Sequence, residues 1–315
     1  MVKFLGVIGM LGLVTFWSVG QTSEVDSFNK RYTPIADSMD PMNKKTNEFL
    51  LEALELANSK DKGCSEKVLY KSMRKYFRNH YLGKLNPWLL KSDEIEKIVV
   101  GVRDSIYQDF KWYQAFVPGL VARINDPSGK LMKMGEHRVG TDKFEHFLGS
   151  GFAYFRKHYL KGENIEEALM IGWKAETGYL GAMTTGVMSY ADMVANFNGM
   201  RFWNHVLAKN IDIFGNSEEL NPGPYVACED NKWVKVKDID WSFYIDHAWD
   251  EGINCSKFRT EKMTESVKNH IRNLENKEER SFTCPLYPER LEEVSKKYSK
   301  FQDWLINTEG HKPVK

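Results

Sequence analysis

The sequence predicts a mostly α fold: a helical bundle core followed by a small, irregular C-terminal region with room for a β-hairpin. Three observations predict it. Apolar residues recur at helical spacing in separate stretches, as in Leu69, Met73, Phe77 and Tyr81. Residues able to cap helices precede such stretches: Ser65, Ser92, Thr141 or Asp142, and Ser189. Loop-forming glycines and prolines gather after Asn210, at Gly215, Pro222, Gly223 and Pro224.

Taken in order, residues 21–43 are polar, carry Pro34 and Pro41, and should lie extended over the surface. Phe49, Leu50, Leu54 and Leu56 predict a short amphipathic helix over 47–58, broken at Asp61-Lys-Gly-Cys64. Ser65 opens a second helix to about Tyr81, which includes His80 as a surface or core-rim residue. Residues 83–88 read as a loop. Ser92 would cap a third helix to about Tyr113, with Ile95, Ile98, Val99, Val102 and Ile106 inward. Pro118 and Gly119 end it, Asp126-Pro-Ser-Gly129 is a turn, and 130–140 is a loop. Central helices follow over 143–159, from Asn164 through the Glu176 region, and over 190–208. Beyond these, 225–228 with 233–236 can pair as a hairpin. A charged helix over 261–279 turns Met263, Val267, His270 and Leu274 inward, and a last helix covers about 289–306. The division expected is 1–20 signal peptide, 21–211 helical domain and 212–315 disulfide-containing C-terminal region.

The expected signal peptide rests on Lys3, the uncharged run Phe4 to Val19, and small residues at Ser18 and Gly20 ahead of Gln21. That run is short for a membrane span of about 20 residues. No Cys follows it to carry a lipid, and no later stretch is long and apolar enough to be transmembrane. The mature chain should therefore be periplasmic or secreted. A net charge of +1 gives no global basic field, which argues against nucleic acid as a partner. Aromatic residues at 13% argue for a packed core. With export, four cysteines predict two disulfides. Because Cys228, Cys255 and Cys284 cluster late, one bridge is expected among them and one tying Cys64 to that region.

The functional signal lies between Gly140 and Trp203, where Asp142, His146, Glu176, Asp192 and Asn196 stand among apolar and small residues. Asp142 and His146 share one helix face, as do Asp192, Asn196 and Gly199. Glycines at 149, 151, 178, 181, 186 and 199 would let helices approach closely. Lone buried carboxylates are costly, so these groups should meet. Three arrangements fit. His146, Glu176 and Asp192 can bind a divalent metal, with Asp142 behind them or as a fourth ligand. Two carboxylates can instead do acid and base work, with Glu176 kept protonated. Or the groups cap helices and satisfy one another, as Ser189-x-x-Asp192 allows.

Asp142-Lys143-x-x-His146-Phe147, then Glu176 on an apolar helix, then Ser189-x-x-Asp192-x-x-Ala195-Asn196-x-x-Gly199 resembles the VanZ-like family and related periplasmic proteins of unknown function. The likeness covers residues 140–203. It implies a bacterial envelope setting and does not supply a mechanism. The chain departs from that family in lacking membrane-spanning helices.

Elsewhere, His247, Asp250, Glu251 and Asn254 beside Cys255 could bind a metal, but read better as the exposed part of a short helix tied down by a disulfide. Trp233, Trp241 and Tyr244 read as core rather than sugar-stacking residues. No phosphate loop, His-Glu-x-x-His or nucleophile elbow is present. The sequence thus points to an exported envelope protein, as a hydrolase acting on an envelope component or as a non-enzymatic binding or scaffold protein whose polar cluster is structural.

Overall fold

The computed structural model describes residues 24–79, 81–110, 129–178, 181–215, 217 and 219–314. The expected signal peptide, the expected helix end near Tyr113, most of the expected turn at 126–129, and His80 lie outside the described residues. The chain is mostly helical with small antiparallel sheets. Among the described residues no helix is long and apolar enough to cross a membrane.

Helix α1, Met39–Asn58, buries Met42, Leu50, Ala53, Leu54 and Ala57 on one face. It starts earlier than expected, inside the segment read as surface. That segment is not a surface strap: Val25, Asp26, Phe28 and Arg31 are buried. Their polar groups are paired. The Asp26 carboxylate accepts from the Phe28, Asn29 and Ile106 amides, and Arg31 makes a two-pronged pair with Asp250 at 3.0 and 2.6 Å. Asp61 and Gly63, both with positive φ, end the α1 connection. Helix α2, Glu66–Met73, is shorter than the pattern suggested: Leu69, Met73 and Phe77 are buried, but Tyr81 is exposed. Residues read as a loop form helix α3, Leu85–Lys91.

The third expected helix does not form. Ser92 Oγ accepts from the Glu94 amide in a local turn. The following β-branched run alternates instead: Ile98 and Val100 are buried while Val99 is 44% exposed. It yields β1, Ile98–Val99, and a 3₁₀ turn, Val102–Asp104. β1 is the edge of a three-stranded antiparallel sheet with β2, Lys130–Met134, and β3, His137–Gly140. The expected 130–140 loop is thus a hairpin, turned at Gly135 with φ +61°.

The central helices lie where the sequence placed them. Residues 143–160 form α4, in which α-helical Lys143–Glu145 and Gly151–Phe155 alternate with π-turns His146–Ser150 and Arg156–Leu160. Helix α5 is Ile165–Thr177. After β4, Val187–Met188, comes α6, Tyr190–His205, every residue of which is buried. Ser189 Oγ caps it by accepting from the Asp192 amide at 3.2 Å. Gly199 lets α6 touch the α4 backbone, since a Cβ there would sit 2.0 Å from the Phe147 carbonyl oxygen.

Strands β5, Val226–Glu229, and β6, Lys232–Lys235, pair antiparallel. Trp241–Phe243 and His247–Trp249 are 3₁₀ turns, and β7, Lys257–Phe258, pairs with β4. Helix α7, Glu261–Glu278, buries Met263, Val267, Ile271 and Leu274. Ile271 takes the place expected of His270, whose ring instead reaches out to Asp109 at 2.7 Å. The last expected helix is divided into α8, Pro288–Lys297, and α9, Gln302–Leu305, around a 3₁₀ turn at Ser299–Phe301. The disulfides are Cys64–Cys228 and Cys255–Cys284. The main apolar core draws on residues before and after 211, with Phe147 ringed by Phe202, Trp241, Tyr244 and Trp249.

Candidate functional site

The site is assembled where the start of α4, the end of α5 and the start of α6 meet. Lys143 is its centre. Its side chain is fully buried, and Nζ lies 2.7 Å from Asp142 Oδ2, Asp192 Oδ1 and Glu251 Oε1. A buried ammonium is tolerable only with such compensation. Burial pulls its pKa down, but Asp142, Asp192 and Glu251 outweigh that and leave it well above the ordinary lysine value. Ser189 Oγ, besides capping α6, donates to Glu251 Oε1 at 2.7 Å.

Asp192 links this centre to His146. Its Oδ2 lies 3.3 Å from His146 Nε2. On the other side of the ring, Nδ1 donates to Asn196 Oδ1 at 3.2 Å, with Glu176 Oε1 at 4.0 Å. Asn196 can reach because it follows Asp192 by one helical turn. His146 is also the group through which the cluster meets solvent: its side chain is 20% exposed, against 6% or less for Lys143, Asp142, Glu176, Asp192 and Glu251.

Burial pushes several of these carboxyls towards the protonated form. Burial, with Asp192 and Glu24 nearby, raises Glu176 well above the usual range. Burial raises Glu24 too, supported by Glu251 and Asp192. Burial lifts Glu251 to about 7 against the pull of Lys143, and burial also raises Asp142 above its ordinary value. Two enclosed oxygens, Asp142 Oδ1 and Glu251 Oε2, have no hydrogen-bond partner among the described residues.

His146, Glu176, Asp192 and Asn196 are therefore gathered as the sequence suggested. Asp142 belongs instead with Lys143, which makes it a partner of the ammonium rather than of a shared ligand set with His146. His146, Glu176 and Asp192 each offer a donor atom within 4.8 Å of the others. Sequence reasoning missed three members. Lys143 stood inside the quoted motif without a role. Glu251 belonged to a cluster read as exposed, yet His247, Asp250, Glu251 and Asn254 are all buried. Half-buried Glu24, whose Oε2 is enclosed, lay in the segment read as a surface strap. The one available signal was Asp250-Glu251 within an aromatic-rich stretch, where paired acids call for cations.

Comparison with family models, curated proteins and solved structures finds no match for this chain.

Proposed function

We propose that this is an exported hydrolase acting on a component of the bacterial envelope, with its active site at His146, Glu176, Asp192 and Asn196. The observation that carries the reading is the exposure pattern: the deeply buried carboxyls of Glu176 and Asp192 stand behind His146, whose side chain is 20% exposed. Titratable groups perturbed in this way gather at functional sites. In the reaction, the water oxygen bonds to the electrophilic centre while the imidazole takes a water proton. Glu176 delivers its proton to the leaving group as that bond breaks, and His146 then returns a proton to Glu176. Asn196 fixes the Nδ1 side of the ring, and Asp192, anchored by Lys143 and 3.3 Å from Nε2, pairs with the imidazolium once the proton has been taken. The two disulfides support export, and the motif order shared with VanZ-like proteins supports an envelope setting.

The rival reading, a binding or scaffold protein with a structural cluster, is favoured by the three carboxylates around Lys143 and the Ser189 cap. Incubating the purified chain with isolated envelope fractions and analysing released products by mass spectrometry separates the two. Wild type should release products that His146→Ala and Glu176→Gln, both folded by circular dichroism, do not. No release by wild type, or equal release by His146→Ala, overturns the hydrolytic reading.

A further inference from the structure

We infer that His146, Asp192 and Glu176, which each offer a donor atom within 4.8 Å of the others, bind a divalent transition-metal ion, with Asn196 as the residue that orients the imidazole. The inference rests on the hydrolytic reading of this site and deepens it: His146 and Glu176 would move from proton carriers to ligands, and the ion would supply the activated water.

The argument begins with Asp192, which belongs to two donor triads. In one, with Asp142 and Glu251, a protein cation already stands among the oxygens, Lys143 Nζ at 2.7 Å from each. The other, with His146 and Glu176, contains no such cation. Glu176 is buried and has no lysine or arginine within ion-pair distance among the described residues. The two triads share a carboxylate and differ in what fills them.

The ring geometry supplies the second step. The two ring nitrogens of His146 face different partners: Nδ1 lies 3.2 Å from Asn196 Oδ1, and Nε2 lies 3.3 Å from Asp192 Oδ2. Metal-bound histidines have such an arrangement, with one nitrogen on the ion and the other on a fixed acceptor that orients the ring. Spacing agrees as well. Two donors each about 2.0–2.1 Å from one ion and 3.3 Å apart subtend about 107°, close to tetrahedral. One imidazole nitrogen with two carboxylates suits Zn²⁺ or Mn²⁺ and disfavours Ca²⁺, which takes oxygen ligands only. Partial exposure at His146 leaves a coordination position for water.

The test uses the full disulfide-bonded chain. Its metal content is measured after purification without chelator, and chelator-stripped protein is then titrated calorimetrically with Zn²⁺, Mn²⁺ and Ca²⁺. About one equivalent of Zn²⁺ or Mn²⁺ should bind, and Ca²⁺ should not. His146→Ala and Asp192→Asn should abolish binding. Asn196→Ala should keep the stoichiometry and weaken affinity about 10–100-fold. His158→Ala, changing a half-buried histidine outside the site, should change nothing. Absence of binding by wild type, or binding unchanged in His146→Ala, overturns the metal site. Envelope products released by stripped, non-binding protein would remove the metal and leave the hydrolase; metal binding without products would do the reverse.

Discussion

Lys143 concentrates the physics of this protein at one residue. Its ammonium is wholly buried, and three carboxylates converge on it, from Asp142 just before α4, Asp192 in α6 and Glu251 just after the 3₁₀ turn at Trp249. Lys143→Met would keep the volume and remove the charge, leaving three buried carboxylates without their cation. Breaking a buried pair from one side costs about 3–5 kcal/mol. Urea unfolding should show a loss of that size, and Asp142→Asn with Glu251→Gln added to Lys143→Met should recover part of it, because of the three carboxylates only Asp192 then lacks its cation. A loss below about 1 kcal/mol in the single variant would mean that the cluster neutralises itself with protons alone. At this scale the sequence was only half legible. Polar points among apolar neighbours located His146, Glu176, Asp192 and Asn196. It could not show Glu24 or Glu251, because contacts across 100 residues and more leave no trace in local spacing.

Among the elements, α6 is the one against which the others are arranged. It is buried on all sides although it carries Asp192, Asn196, Asn198, Arg201, Asn204 and His205. Each polar residue has a partner: Arg201 and His205 share Asp212, His205 meets Tyr244, and Asn198 meets Tyr298. Close packing on α4 depends on Gly199 and Gly151, whose added Cβ atoms would meet the facing backbone at 2.0 and 2.6 Å. Gly199→Ala gains about 1 kcal/mol of helix propensity and loses more to overpacking, so it should destabilise by about 2 kcal/mol net. Gly149→Ala, also on α4 but facing open space, should be neutral or slightly stabilising. Denaturant midpoints of the two variants should move in opposite directions or differ by the full overpacking cost; equal midpoints would disprove the close contact. The central helices were readable because their caps and periodicity agree. The third expected helix was misread because Ile95, Ile98, Val102 and Ile106 fit a helical period, while the pairing of Ile98 with Leu131 is a tertiary choice.

For the whole molecule, the two disulfides constrain the chain very differently. Cys64–Cys228 joins residues separated by 164 positions, a span that contains α4, α5 and α6 but neither Glu24 nor Glu251. Cys255–Cys284 joins residues separated by 29. By chain entropy the first removes about 5 kcal/mol from the unfolded state and the second about 3.6. Access runs the other way. Cys228 is exposed and Cys64 half-buried, whereas Cys255 and Cys284 are buried in the core beneath Phe258 and Phe282. Thiolate attack requires approach to sulfur, so a mild phosphine or thiol reductant should open the long bridge first. Alkylation and peptide mass spectrometry along a reduction course should label Cys64 and Cys228 while Cys255 and Cys284 stay joined. The selectively reduced protein should keep its helical circular dichroism and lose several kcal/mol in denaturation. The metal titration should retain its stoichiometry in that state, because the bridge acts on the unfolded chain and not on the geometry of His146 and Asp192. Labelling of Cys255 and Cys284 first, or of all four together, would show that opening of the core precedes reduction.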